Sequence, residues 1–284
     1  MPGAPTIVMI GFGYVANHTA ARLAAAGWAV RATTRSAQTA QAIGVSGYDA
    51  RVADPATADG ARALDAALES ADAVLSSAPP QEDGDPVMPA LSHASLAGKR
   101  LIYLSTTGIY GDRGGGWAFE AEPPTPGQDR SIRRTRAEAK WLDHGAVSLR
   151  LGGIYGPGRS AFDRLDAGAP VHDKPGQVFS RIHVADIAAA VEACLTRPRV
   201  SGPLNLVDDR PCGQAELMTG AARLAGAPPP EIRPFDPAEA STMRASFFAE
   251  NRRVSNALAK SVLGWRPAYP TWREGLAAIQ AQSR

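Results

Sequence analysis

Lysine is scarce in this chain. Only four of its 30 basic residues are lysine, so arginine supplies most of the positive charge, and 28 acidic residues bring the formal net charge to +2. A balance this close to neutral gives no broad electrostatic footprint for nucleic acid or an anionic membrane. Cysteine is almost absent as well. Cys194 and Cys212 stand without metal-ligand spacing and read as buried or incidental thiols, so no metal centre is expected and a reducing cytoplasm fits. No apolar run approaches the length of a membrane span, and the N-terminus lacks the charged-then-apolar pattern of a leader. The expectation is a soluble, cytoplasmic protein, monomer or homodimer, whose partner is a small molecule and neither nucleic acid nor membrane. Its 284 residues suffice for one large or two modest domains.

The most informative stretch is the first thirty-six residues or so. An apolar run from Thr6 to Ile10 feeds into Gly11-Phe12-Gly13-Tyr14-Val15-Ala16 and then an Ala-rich segment. This predicts a strand, a glycine turn and a helix over Ala16 to Ala26, followed by a second strand from Trp28 to Thr33. In such a βαβ unit the first glycine permits the tight turn, the second admits a pyrophosphate to the backbone, and the small residue lets helix and strand pack closely. Free N–H groups at the helix start then face the phosphates. An NAD site usually has an acidic residue at the end of the second strand, for the ribose 2′-hydroxyl. The chain instead reads Thr33-Thr34-Arg35-Ser36. A guanidinium beside hydroxyls suits a 2′-phosphate, which favours NADP over NAD, with the alternative that Arg35 is one more solvated arginine.

Farther on, a third strand is expected near Val45 to Val52 and a helix from Thr57 to Glu69, with Asp54 either capping that helix or facing an adenine. The apolar strand Ala73 to Ser77 stops at Ala78-Pro79-Pro80. A helix near Val87 to Leu96 leads to the strand Arg100 to Leu104, which ends in Ser105-Thr106-Thr107-Gly108-Ile109-Tyr110. The Gly- and Pro-rich residues Gly114 to Gly127 read as a long loop, and such loops are usually functional. A helix from Asp129 to His144, a strand from Val147 to Leu151, a helix through Leu195 and a strand from Leu204 to Val207 complete the alternation. That spacing predicts an α/β fold, a Rossmann-like doubly wound parallel sheet. The Pro-rich tail reads as short helices and connectors of a smaller C-terminal lobe.

Several motifs occur in one order: the glycine turn, Leu104 to Asp112, Arg150 to Gly158 with Ile154-Tyr155-Gly156-Pro157-Gly158, Ile182 to Ile187, Asn205 to Asp209, and Leu263-Gly264-Trp265. In series they resemble the extended short-chain dehydrogenase/reductases, the NAD-dependent epimerase/dehydratase group acting on nucleotide sugars. The resemblance covers nearly the whole chain. It implies a Rossmann domain over 1–155 and about 178–208, and an α/β substrate lobe over about 156–177 and 209–284. It places Gly11, Gly13 and Ala16 at the pyrophosphate, Arg35 at the adenosine phosphate, Asp54 at the adenine and Ala78 at the cofactor ribose. Phe12, Tyr14, Val15, Thr34, Ser36, Ser77, Arg136 and Ile154 join the expected cofactor residues. Thr106 falls where the family has its catalytic Ser/Thr.

One departure stands out. The family's acid/base is a tyrosine with a lysine four residues on, and the register here puts Ile132 and Arg136 at those positions. Isoleucine carries no proton, and arginine keeps the charge without lysine's compact geometry. The pattern is similar to the atypical branch that lacks the usual tyrosine. A proton donor must then come from elsewhere: Tyr110 first, Tyr155 second, with Glu120 and His183 weaker. Arg159, Arg181 and Arg252, with Arg253, could bind an anionic substrate. His183 and Asp186 read more simply as packing and early-helix residues. Two functions follow. One is an NAD(P)-dependent oxidoreductase or epimerase-like enzyme transferring hydride at a secondary alcohol or ketone. The other is a non-catalytic NADP-binding redox sensor or scaffold.

Overall fold

In a computed structural model the described residues are 3–282, apart from the side chains at positions 243 and 244. The chain runs β1 (Thr6–Ile10), α1 (Tyr14–Ala25), β2 (Ala29–Thr34), α2 (Ala37–Val45), β3 (Asp49–Val52), α3 (Ala58–Leu68), β4 (Ala73–Ser76), α4 (His93–Leu96) and β5 (Arg100–Thr106). It continues through β6 (Trp117–Ala118), α5 (Asp129–Asp143), β7 (Val147–Leu151), β8 (Gly153–Tyr155), α6 (Ala161–Asp166), β9 (Val171–Asp173), β10 (Arg181–His183), α7 (Val184–Leu195) and β11 (Gly202–Leu206). The last third holds α8 (Gln214–Ala225), β12 (Ile232–Pro234), α9 (Thr242–Phe248), β13 (Arg253–Val254), α10 (Ala257–Leu263) and α11 (Trp272–Gln282).

Two compact units divide the chain. One joins Met1–Thr106, Ile132–Arg150 and Ile187–Leu204; the other joins Thr107–Ser131, Leu151–Asp186 and Asn205–Arg284. The division differs from the expected one, because the segment after β5 and the segment from Leu151 both fall in the second unit.

The first unit is built on a seven-stranded sheet in the order β11-β7-β5-β4-β1-β2-β3. β1 pairs in parallel with β2 on one side and β4 on the other. The strand order therefore reverses at β1, and in open α/β sheets the crevice beyond the strand ends at that switch is the ligand site. β1 and β4 are apolar on both faces, as strands covered on both sides must be. Val8, Ile10, Val74 and Leu101 pack with Leu64 and Leu68 of α3 and Ala137 and Trp141 of α5. Ile7 and Met9, also fully buried, alternate to the opposite face. Burying each such side chain contributes roughly 1.5–3 kcal/mol.

Local differences from the sequence pattern have local causes. The third strand is only Asp49–Val52, because Ser36 caps a helix that the apolar periodicity does not announce: in α2 only Ile43 is buried. The helix expected over 87–96 splits into a 3-10 turn, Met88–Ala90, with Pro89 in its first positions, and the short α4, since Leu91 is extended. The long loop is not structureless either. Trp117 and Ala118 form β6, which pairs in parallel with Arg253 and Val254 of β13.

The second unit has its own core. Tyr155, Met218, Trp272, Leu276 and Ile279 pack together through α8, α11 and the turns around them, and Ile109, Tyr110, Ala118, Val207 and Val254 form a smaller cluster. Among the described residues no helix is long and apolar enough to cross a membrane.

Candidate cofactor site

Gly11 leaves β1 at φ +81, a conformation that L side chains rarely adopt, and a Cβ there would stand 3.0 Å from Ser77 Oγ and 3.4 Å from Ala78 N. Ser77 Oγ donates to Gly11 O at 2.9 Å, and Ser77 N donates to Ile10 O at 2.9 Å. The ends of β1 and β4 are thereby latched together. Gly13 is the N-cap of α1, with no side-chain cap and no acidic residue in the first turn, and a Cβ on it would meet nothing within 4 Å. Open space in front of uncapped N–H groups fits a pyrophosphate. Ala16, 1 % exposed, lets α1 lie close to the sheet. Val15 is buried with it, while Phe12 tilts against Tyr48 and Tyr14 sets its edge on His18.

At the end of β2, Ser36 Oγ accepts from Thr39 N and so caps α2, and Ser36 N donates to Thr34 Oγ1. Arg35 is exposed and forms no ion pair among the described residues. The nearby Asp54 does not cap α3. Thr57 does, accepting from Gly60 N at 3.0 Å, while Asp54 Oδ1 accepts from Ala56 N and closes the preceding turn.

Around β4, β5 and α5 the side chains form three hydrogen-bond networks that the sequence did not announce. Arg134 Nη1 donates to Tyr103 Oη at 3.0 Å, Leu104 O at 3.1 Å and Ala78 O at 3.3 Å. Glu138 accepts from Ser105 Oγ at 2.9 Å and Arg150 Nε at 2.8 Å. Asp85 accepts from Val87 N, Met88 N and Trp141 Nε1, fixing the segment after β4 against α5. Thr106 ends β5 and is half-buried, Ile132 is half-buried, and Arg136 is exposed on α5.

The second unit corrects the expected proton donors. Tyr110 is fully buried, and its hydroxyl donates to Asn205 Oδ1 at 2.8 Å, so its phenol packs the base of the loop and is not presented to a substrate. Tyr155 is buried too, edge-on to His183. Burial first, then the charges of Asp208 and Asp186, push its phenol well above the ordinary range, the reverse of what an acid/base tyrosine needs. Glu120 Oε1 accepts from Asn205 N. His183 Nδ1 accepts from Ala185 N, its ring lies against Tyr269, and Asp186 accepts from Ala268 N and Tyr269 N; both are packing residues.

Two of the expected substrate arginines are committed internally. Arg181, 8 % exposed, donates to Phe179 O, Cys212 O, Cys212 Sγ and Gln214 Oε1. Arg252 is tied to Glu250 and Gly111 O. The partners of Arg181 at Cys212 and Gln214, and that of Arg252 at Gly111, lie far along the chain, where no local motif reveals them. Arg159 is exposed at the close of the Gly156–Arg159 turn, and Ile154 lies in β8, paired with Ile182.

This doubly wound sheet, with a glycine turn opening onto an uncapped helix at its switch point, is the fold of the epimerase/dehydratase-type short-chain dehydrogenase/reductases. Residues 11–198 match the NAD(P)H-binding family, and the chain belongs to it. Over 170 residues it is 32% identical to 3-diazoavenalumate denitrifying reductase of a Streptomyces species, covering 55% of each chain, so the match spans about half the length of that curated relative. A conserved protein of unknown function from Silicibacter pomeroyi is 37% identical, with a TM-score of 0.87 over 99% of both chains. The human epimerase family protein SDR39U1 (isoform 2), solved with NADPH, shares the fold at a TM-score of 0.79 and 19% identity, over 97% of this chain and 99% of the other.

Proposed function

We propose that this chain is an NADP-dependent oxidoreductase of the epimerase/dehydratase type, acting by hydride transfer on a secondary alcohol or ketone. The observation that carries the reading is Arg35, exposed and without an ion pair among the described residues where an NAD site has a carboxylate. A bound nicotinamide would donate or accept the hydride. The chain's own residues bind and orient. Gly11, Gly13 and the first N–H groups of α1 would hold the pyrophosphate, and Arg35 the 2′-phosphate. Arg134 fixes the Ala78 carbonyl at the end of β4, beside the expected ribose position. Thr106 would hydrogen-bond the reacting oxygen, and water would carry the proton, since Tyr110 is committed to Asn205. A curated relative named as a reductase supports net reduction. Nucleotide sugars stand among the candidate substrates beside simpler carbonyl compounds.

The test is oxidation of NADPH by the purified chain against a panel of ketones, aldehydes and nucleotide sugars, followed at 340 nm. Turnover with NADPH that exceeds turnover with NADH is expected. One observation favours the second reading, a non-catalytic NADP-binding sensor or scaffold: Ile132 stands at the tyrosine position while Tyr110 and Tyr155 are both buried. Ile132→Tyr combined with Arg136→Lys separates the two. A gain of carbonyl reductase activity would mean that only the acid/base was missing; no gain, with no turnover by the native chain, would establish the scaffold.

A further inference from the structure

The second unit contains a cleft of about 600 Å³ that none of the residues discussed above as substrate ligands fills. It lies among α6, β9, the start of α8 and the end of α9. Arg164 of α6 and Arg130 of α5 both line it, and neither forms an ion pair among the described residues. Burial, and then the nearby charges of Arg181 and Arg159, hold the Arg164 guanidinium below the ordinary arginine range. A carboxylate entering the cleft would gain charge-assisted hydrogen bonds from a guanidinium in its lining. The cleft's carboxylate, Asp163, is occupied locally: it accepts from Ser160 N and Ser160 Oγ and closes the first turn of α6.

The lining also holds two phenyl rings, Phe247 and Phe248. Phe248 stacks on Phe235 at 4.3 Å, and Phe179 stacks on Phe247 at 4.3 Å. Phe247 remains 40% exposed, a large apolar ring open to a ligand. Ala169, Pro170, Val171 and Met218 give the cleft apolar walls, while His172, Ser241 and Gln214 add polar groups, the Gln214 Oε1 already accepting from Arg181.

We propose that this cleft binds a planar aromatic carboxylate, its ring against Phe247 and its carboxylate on Arg164 and Arg130. The site lies wholly within the second unit and is tested without cofactor, so its outcome is independent of the nicotinamide reading. Calorimetric titrations of the whole chain would use benzoate, trans-cinnamate and 2-naphthoate, with trans-cinnamamide as the uncharged counterpart and UDP as the nucleotide. Saturable binding of at least one carboxylate is expected. Cinnamamide should bind at least tenfold more weakly than cinnamate. Arg164→Gln should weaken the carboxylate tenfold or more and Arg164→Lys less, because lysine keeps the charge but not the fork. Phe247→Ala should weaken it about fivefold or more. Absence of saturation by all three carboxylates would overturn the proposal, as would equal affinity for acid and amide. UDP binding that exceeds the carboxylates and is lost in Arg164→Gln would make this a nucleotide site instead.

Discussion

The hydroxyl of Tyr103 accepts a hydrogen bond of 3.0 Å from Arg134 Nη1, in a layer where its ring also stacks on Trp141 at 5.6 Å. The same nitrogen reaches the carbonyls of Leu104 and Ala78, so one guanidinium ties α5 to the ends of β5 and β4. Burial pushes the Tyr103 phenol up to about 12, against the opposing pull of Arg134. Arg134→Ala would leave a buried phenol and two carbonyls without this donor, at a cost of about 1–3 kcal/mol. Urea denaturation should show that loss, and adding Tyr103→Phe should recover part of it. A variant as stable as the native chain would contradict the role.

Glu138 and Arg150 form a salt bridge whose side chains are 2% and 4% exposed. Removing one partner of a buried pair strands the other charge, so Glu138→Ala is expected to destabilise by about 3–5 kcal/mol. Glu138→Gln, which can still accept from Ser105, should cost less. Thermal denaturation of the two variants gives the ranking, and equal melting points would refute it.

Arg35→Ala should weaken NADPH tenfold or more while leaving NADH within about twofold, because only the former would lose a charge-assisted contact of about 1.5–3 kcal/mol. Equal affinity of the native chain for both cofactors would sink the assignment.

Tyr110→Phe removes the bond to Asn205 Oδ1 from a fully buried cluster. The expected result is a stability loss of about 1 kcal/mol, with turnover changed less than twofold. A hundredfold fall in turnover at unchanged stability would restore Tyr110 as a proton donor.

Asp208 is 2% exposed. Burial raises its carboxyl from 3.8 to about 8, and the Arg210 backbone N–H and the Arg181 charge offset only part of this. The folded state thus holds a proton that the unfolded chain releases at lower pH. The associated stability is complete below the unfolded value and is lost as pH rises through about 8. Stability measured from pH 4 to pH 9 should fall across that window in the native chain and be flatter in Asp208→Asn. Curves of equal slope would exclude Asp208 as the cause.

The glycine turn, the two strands beside it and the parallel sheet were legible because each depends on local pattern: an apolar run, a positive-φ glycine, and small residues at fixed offsets. What escaped was set by distant partners. Arg181 reads as an anion ligand until Cys212 and Gln214 are seen to hold it, and Tyr110 reads as a donor until Asn205, far along the chain, is found across from it. Arg134 lies between the register positions Ile132 and Arg136, yet nothing in its neighbours reveals that it faces Tyr103 and Ala78. Helix α2 was hidden for the opposite reason, since a surface helix with a single buried residue leaves little periodic trace.

The pairing of Trp117–Ala118 with Arg253–Val254 also sets a timetable for synthesis. At ribosomal rates of roughly 5–20 residues per second, the strand at 117–118 emerges several seconds or more before its partner exists. Until then its edge is open, and a nascent chain with an open edge is a target for holding chaperones or for a neighbouring chain on the same message. The sheet unit, whose last segment ends at Leu204, has all its strands through β7 in hand well before that moment. A ribosome stalled before Arg253 would therefore carry a second unit in which Trp117–Ala118 still lacks its β13 partner.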